Sequence, residues 1–200
     1  MSDISPTRSA VIEMKDERRA MHEGYVFLDE KCLLLAGEML RQLKLHEALR
    51  REFQALHEAA AAALQAAVLR HGLQTLQVYP ATELSGAGLS LHPRTLMGVA
   101  LQQAEFDAGQ SRFEPAVEAS PEAEACRRAH AALLAAAVPL AAVSGNLNRL
   151  SSEYRRSLRR ARALQDVMLP ELDHTLYDIE GRLEELEQEE AIWMRRGVRA

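Results

Sequence analysis

Apolar residues recur along the first third of the chain on a strict alternation of four and three. Met21, Tyr25, Leu28, Cys32, Leu35, Met39, Leu49, Phe53, Leu56, Ala60, Ala63 and Ala67 fall on it, with Gln42 and His46 as interruptions. That spacing lays one side of an α-helix against a partner helix through about seven heptads. A second series begins at Leu147 and runs through Leu150, Tyr154, Ser157, Ala161, Leu164 and Met168. The phase then slips by one residue and resumes at Leu172, Leu176, Ile179, Leu183 and Leu186, passes Glu190 and reaches Trp193. The slip falls beside Pro170, whose ring removes the hydrogen bond to the Asp166 carbonyl and should bend or loosen the helix there. An inexact eleven-residue repeat, LHEALRREFQA at 45–55 and LHEAAAAALQA at 56–66, should locally relax a left-handed supercoil.

The helix breakers divide the chain in the same way. No proline lies between Thr7 and Tyr79, only Pro170 follows Leu140, and five of the seven prolines fall from Pro80 to Pro139. This predicts an N-terminal coiled-coil arm over 1–72, a middle lobe over 73–119 and a C-terminal arm over 120–200, together one elongated domain. Ser5 with Pro6 opens the first arm and His71–Gly72 closes it; Ser120-Pro121-Glu122 opens the second, which runs to about Arg196–Gly197 with Pro139 and Gly145 as points where it can break. The lobe, with Gly86, Gly88, Gly98 and Gly109, is expected to hold a short helix and a β-hairpin, and the GAG at 86–88 reads as a turn. A straight arm from Ser5 to His71 would be about 100 Å long, against a radius of gyration of about 16 Å for a compact chain of this size. The expected fold class is therefore all-α, with the two arms folded back as a long antiparallel two-helix coiled coil. Leu33, Ala36, Leu40 and Leu43 make a second apolar ridge, left for a partner or covered by a short third helix near 129–134.

Composition strengthens this picture. Of 200 residues 33 are Ala and 30 are Leu, while aromatics make up 4%, the recipe of long helices rather than of sandwiches or barrels. A net charge of -5 argues against a general nucleic-acid binder. Cys32 and Cys126 form no CxxC and read as buried free thiols in a reducing compartment. The first residues carry acids and bases and no apolar h-region. The longest uncharged apolar run, Ala131 to Val143, is interrupted by Pro139 and falls short of the roughly 20 residues of a membrane helix. The expectation is a cytosolic chain whose link to any membrane passes through partners.

Reactive groups do not converge. There is no G-x-x-x-x-G-K-[ST], and neither His46-Glu47 nor His57-Glu58 completes HExxH, since Arg50 and Ala61 stand four residues after the histidines. No catalytic, cofactor-binding or metal-ligating residue is expected. Charge patterning is more informative. From Arg149 to Arg162 six arginines face one acid, Glu153, and from Glu180 to Glu190 six glutamates face Arg182. The acidic run reads as a solvated face, whereas arginine suits bidentate contacts with a partner's carboxylates.

The run Glu153-Tyr154-Arg155-Arg156-Ser157-Leu158-Arg159-Arg160-Ala161-Arg162-Ala163-Leu164-Gln165, followed by Val167-Met168-Leu169-Pro170-Glu171-Leu172, resembles the E-I-x-K-T-x-R-R-V-N-A-L-E … I-P-E-L signature of the D subunit of V-type and A-type rotary ATPases (ATP synthases). Pro6-Thr7-Arg8-Ser9, Gly24 to Lys31, and Leu96-Met97-Gly98-Val99 are similar to its P-T-[RK]-S, G-H-x-L-L-K-x-K and N-x-M-G-V, in the same order. Arg162, Ala161, Gln165, Asp29 and Cys32 depart from the family pattern. The resemblance implies a non-catalytic central rotor shaft with no cofactor, standing inside a hexamer of catalytic A and non-catalytic B subunits. The small F subunit of the rotor and a funnel subunit on the membrane ring are its further implied partners. It places the chain on the cytoplasmic side, in the peripheral part of a membrane-bound complex. On that basis Arg155, Arg156, Arg159 and Arg160 are candidates for partner contacts. Ile192, Trp193 and Met194, with Ile12 and Met14, are candidates for the end seated in the hexamer, core packing being the rival reading. The alternative is an export stalk or adaptor of a secretion-type hexameric ATPase, also an antiparallel coiled coil but without a glycine-rich lobe.

Overall fold

The computed structural model describes residues 5–77, 79, 87–107 and 119–197. Helix α1 spans Arg8–Gln77, strands β1 and β2 span Gly88–Leu96 and Val99–Asp107, and helix α2 spans Pro121–Ala163. A π-helical turn, Leu164–Met168, then leads into helix α3, Leu169–Gly197. The chain forms two compact units, Met1–Leu34 with Tyr154–Ala200, and Leu35–Glu153.

The helix ends follow local chemistry. Thr7, rather than Ser5, caps α1: its Oγ1 accepts the Ala10 N–H at 3.2 Å, two residues later than the Ser5-Pro6 pair suggested. Ser120 caps α2 as expected, its Oγ accepting the Ala123 N–H at 3.2 Å with Pro121 in the first helical position. Gly72 adopts φ 73° and ψ 159°, a conformation essentially reserved for glycine, and a short helical piece continues after it to Gln77. Neither Pro139 nor Gly145 breaks α2. Residues 129–134 lie within α2 rather than in a covering third helix, and Leu33, Leu40 and Leu43 are exposed.

In the first unit α1 runs antiparallel to α3. Val11 and Met14 bury against Ile179, with Leu172, Leu176 and Leu183 around them. Rising numbers on α1 meet falling numbers on α3 in the ion pairs Arg8–Glu187 (2.8 Å), Lys15–Glu180 (2.7 Å) and Arg18–Asp173. Val11 and Met14 carry the 4-3 alternation back to the start of α1, with Arg18 in its charged seam position. The one-residue slip in the sequence has a structural counterpart. At the π turn the Leu169 N–H bonds the Leu164 carbonyl, five residues back, and a π turn takes one residue more than an α turn allows. The seam therefore passes from Leu164 to half-buried Leu169, and Met168, expected on the seam, is 42% exposed.

In the second unit the remaining seam residues of α1 are buried or half-buried from Leu35 through Ala67, Gln42 and His46 included. Leu35, Ala60 and Ala67 on α1, and Ala123, Val143 and Leu150 on α2, form its buried apolar positions together with Val99 and Leu101 of β2. The hairpin turns at Met97–Gly98, φ 47° and 82°, where both central residues need positive φ. The expected hairpin is thus present, but Gly88 of the GAG begins β1 and Gly86 lies outside the described residues.

Candidate partner-contact surface

The arginine belt is set by its seam. Ser157 and Ala161 are 2% and 4% exposed, small residues buried on the packed side of α2. Arg155, Arg156, Arg159, Arg160 and Arg162 occupy the positions between and around them and are exposed. None of the five makes an ion pair or hydrogen bond among the described residues. The same unit neutralises other arginines: Arg8 and Arg18 hold Glu187 and Asp173, and Arg19 lies 3.4 Å from Asp16. Five guanidinium groups within about two helical turns make a dense, uncompensated donor surface for carboxylates.

The second set of candidates divides. Ile192, Trp193 and Met194 are 51%, 73% and 68% exposed, and Ile12 is 61% exposed. Met14 belongs to the core, packed against Ile179 and well short of Trp193 along α3. A shallow groove lined by Lys15, Arg18, Arg19, His22, Asp173 and Leu176 lies in the same unit. Its lysine and arginines already face Glu180, Asp173 and Asp16, so it offers no surplus charge to an anion. Among the described residues no three His, Cys, Asp or Glu side chains gather as a metal would need. Burial raises both thiols, Cys32 and Cys126, above the ordinary cysteine range, which keeps them protonated.

The family profile for the D subunit of ATP synthase matches residues 10–196, from the first turn of α1 to the last turn of α3. The chain belongs to the ATP synthase D subunit family. The D subunit of the V-type ATP synthase of Thermotoga neapolitana is 25% identical over 96% of both chains. That of Anaeromyxobacter dehalogenans, also V-type, is 27% identical over 98% of this chain and 96% of its own. The D subunit of the A-type ATP synthase of Methanopyrus kandleri is 25% identical over 98% of this chain and 86% of its own.

In this member of the D subunit family the sequence reading missed how the hairpin is held. Asn146 of α2, 2% exposed, accepts the Gln102 N–H through Oδ1 and donates through Nδ2 to the Gln102 carbonyl, both at 2.8 Å. One amide thus satisfies both backbone groups that β2 turns away from β1. Gln102 pairs with Pro93, so the position where proline lacks an N–H is one whose backbone groups face outward on both strands, and no ladder bond is lost. A second tie is Glu38, whose carboxylate accepts from Arg94 of β1 at 2.6 Å, from Arg41 at 2.5 Å and from Gln42 at 2.9 Å. The Arg41 hydrogen bond above all holds the Glu38 carboxyl below the usual range. Leu96-Met97-Gly98-Val99, noted in the sequence only as a family-like motif, holds the turn, whereas the turn was expected at the GAG of 86–88 and nothing in the sequence pointed to the clamp.

Proposed function

We propose that this chain is the non-catalytic central rotor shaft of a V/A-type rotary ATPase. It couples ATP hydrolysis or synthesis in a peripheral hexamer to proton or sodium transport through a membrane ring. Its partners are the catalytic A and non-catalytic B subunits of the hexamer, the small F subunit of the rotor and a funnel subunit on the ring, and it meets the membrane only through them, from the cytoplasmic side. The observation that carries this reading is the unmatched arginine belt in a member of this family. Guanidinium groups left without carboxylates on a chain with net charge -5 are suited to carboxylates supplied from outside. Exposed Ile192, Trp193, Met194 and Ile12 supply an apolar end for seating in the hexamer, and the arm and lobe divisions 1–72, 73–119 and 120–200 are the corresponding functional parts.

The test replaces Arg159 and Arg160 with Ala in the full-length chain. Both are exposed and make no bond among the described residues, so circular dichroism and melting temperature should stay at wild-type values, while ATP-driven ion transport by the purified complex should fall several-fold. Loss of helicity would assign the two arginines a structural role. Failure of the tagged wild-type chain to co-purify with two large subunits and ATPase activity would refute the shaft reading.

A further inference from the structure

We propose that the π turn Leu164–Met168, together with Pro170, is a torsional joint between two anchored stretches of the C-terminal arm, and that the arm twists there. Three independent observations carry this. The first is the hydrogen-bond ladder: the Leu169 N–H reaches back five residues to Leu164, and Pro170 has no N–H to give. Two consecutive positions therefore lack the bond that stiffens an α-helix.

The second is packing. No residue of the turn is buried, and Val167 and Met168 are 49% and 42% exposed. Opposite Leu164 stands Gly24, which presents no side chain to it; a Cβ added there would lie 3.8 Å from Leu164 Cδ1, within ordinary contact distance. Segments with few buried contacts and a weakened ladder open first. Both flanks are held. Ser157 and Ala161 bury on one side, and on the other Ile179 packs on Val11 and Met14 while Asp173 and Glu180 pair with Arg18 and Lys15.

The third is the sequence itself. Removing one residue between Leu164 and Leu169 would put Leu172, Leu176, Ile179 and Leu183 back on an unbroken 4-3 alternation with Leu164. The seam on the far side is thus matched to the extra residue, although a plain α-helix was available by a single deletion. A joint at this place lets α3, which carries Trp193 in its last turns, twist against the arginine-bearing part of α2 while the core contacts on both sides stay closed. The joint stands on the structure alone; its part in coupling rests on the shaft reading above.

The deciding experiment is hydrogen exchange by mass spectrometry on the full-length chain, free and in its purified complex, comparing wild type with a variant lacking Val167. Amides of 165–169 should exchange at least tenfold faster than those of 155–161 and 176–183 in wild type. Deletion should bring them to the flanking rate, raise the melting temperature and, in the assembled complex, lower the ions moved per ATP at least twofold. Pro170→Ala, which keeps chain length and restores an N–H, should slow the same amides if the deletion variant does not fold. Wild-type exchange equal to the flanks overturns the joint, and so does a deletion or Pro170→Ala variant whose exchange stays fast. Slowed exchange with unchanged coupling overturns its role in transmission. A wild-type chain that brings down no ATPase sinks the shaft reading and leaves the exchange result to decide the joint.

Discussion

Glu38 gathers Arg41, Gln42 and Arg94 on one carboxylate whose side chain is 10% exposed. Its pKa is lowered by folding, first by the Arg41 hydrogen bond. A group depressed in the folded state stabilises it at pH values above the unfolded glutamate value of about 4.3 and loses that contribution as pH falls through the folded value. Stability should therefore decline below about pH 4.3 in part through this residue. Glu38→Gln should be less stable at neutral pH and show a flatter stability-against-pH curve in urea titrations at several pH values. Near it, Met97 carries φ 47°, a left-handed position that costs a side chain about 1 kcal/mol. The two-residue turn between paired strands requires it, and the next residue, Gly98, meets the same requirement without strain.

Of the elements, the hairpin depends most on another for its place, since a two-stranded sheet is marginal alone. Asn146→Ala would orphan the N–H and carbonyl of Gln102 together and should cost the chain about 1–3 kcal/mol. Denaturant titration would measure this, and exchange of the Gln102 amide would localise it. The helices were legible in the sequence because their signal is periodic. Every seam residue named on α1 from Met21 to Ala67 is buried or half-buried, and the one-residue slip, read as a loosening at Pro170, falls where the helix has its π turn. The clamp was not legible, because an asparagine that reaches a strand 44 residues away leaves no local pattern. The N-cap of α1 was misplaced for a related reason: Ser5 and Thr7 are both good caps, and only the Thr7–Ala10 contact distinguishes them.

On the scale of the whole molecule, what is buried matters less than what is left outside. Leu33, Leu40 and Leu69 are 68%, 62% and 80% exposed, apolar side chains that the folded chain leaves to solvent. Replacing Leu33 and Leu40 with Glu should change the melting temperature little, since exposed substitutions stay within about 0.5 kcal/mol. The same pair should weaken recovery of the assembled complex in co-purification, the outcome expected if these leucines face neighbours. The candidate site was legible to the same extent as its chemistry. Arginine density shows along the chain, whereas the lack of carboxylate partners among the described residues depends on how the helices pack. Met14 and Ile12 looked alike as sequence, and only packing against Ile179 separated the core residue from the surface one.

The extra residue between Leu164 and Leu169 also sets a rule for anyone exchanging parts between chains of this kind. A chimera joining α2 of this protein to an α3 whose seam runs in unbroken 4-3 phase would arrive about 100° out of step. It would turn a polar flank toward Val11 and Met14. The splice must carry or omit one residue according to which half it inherits.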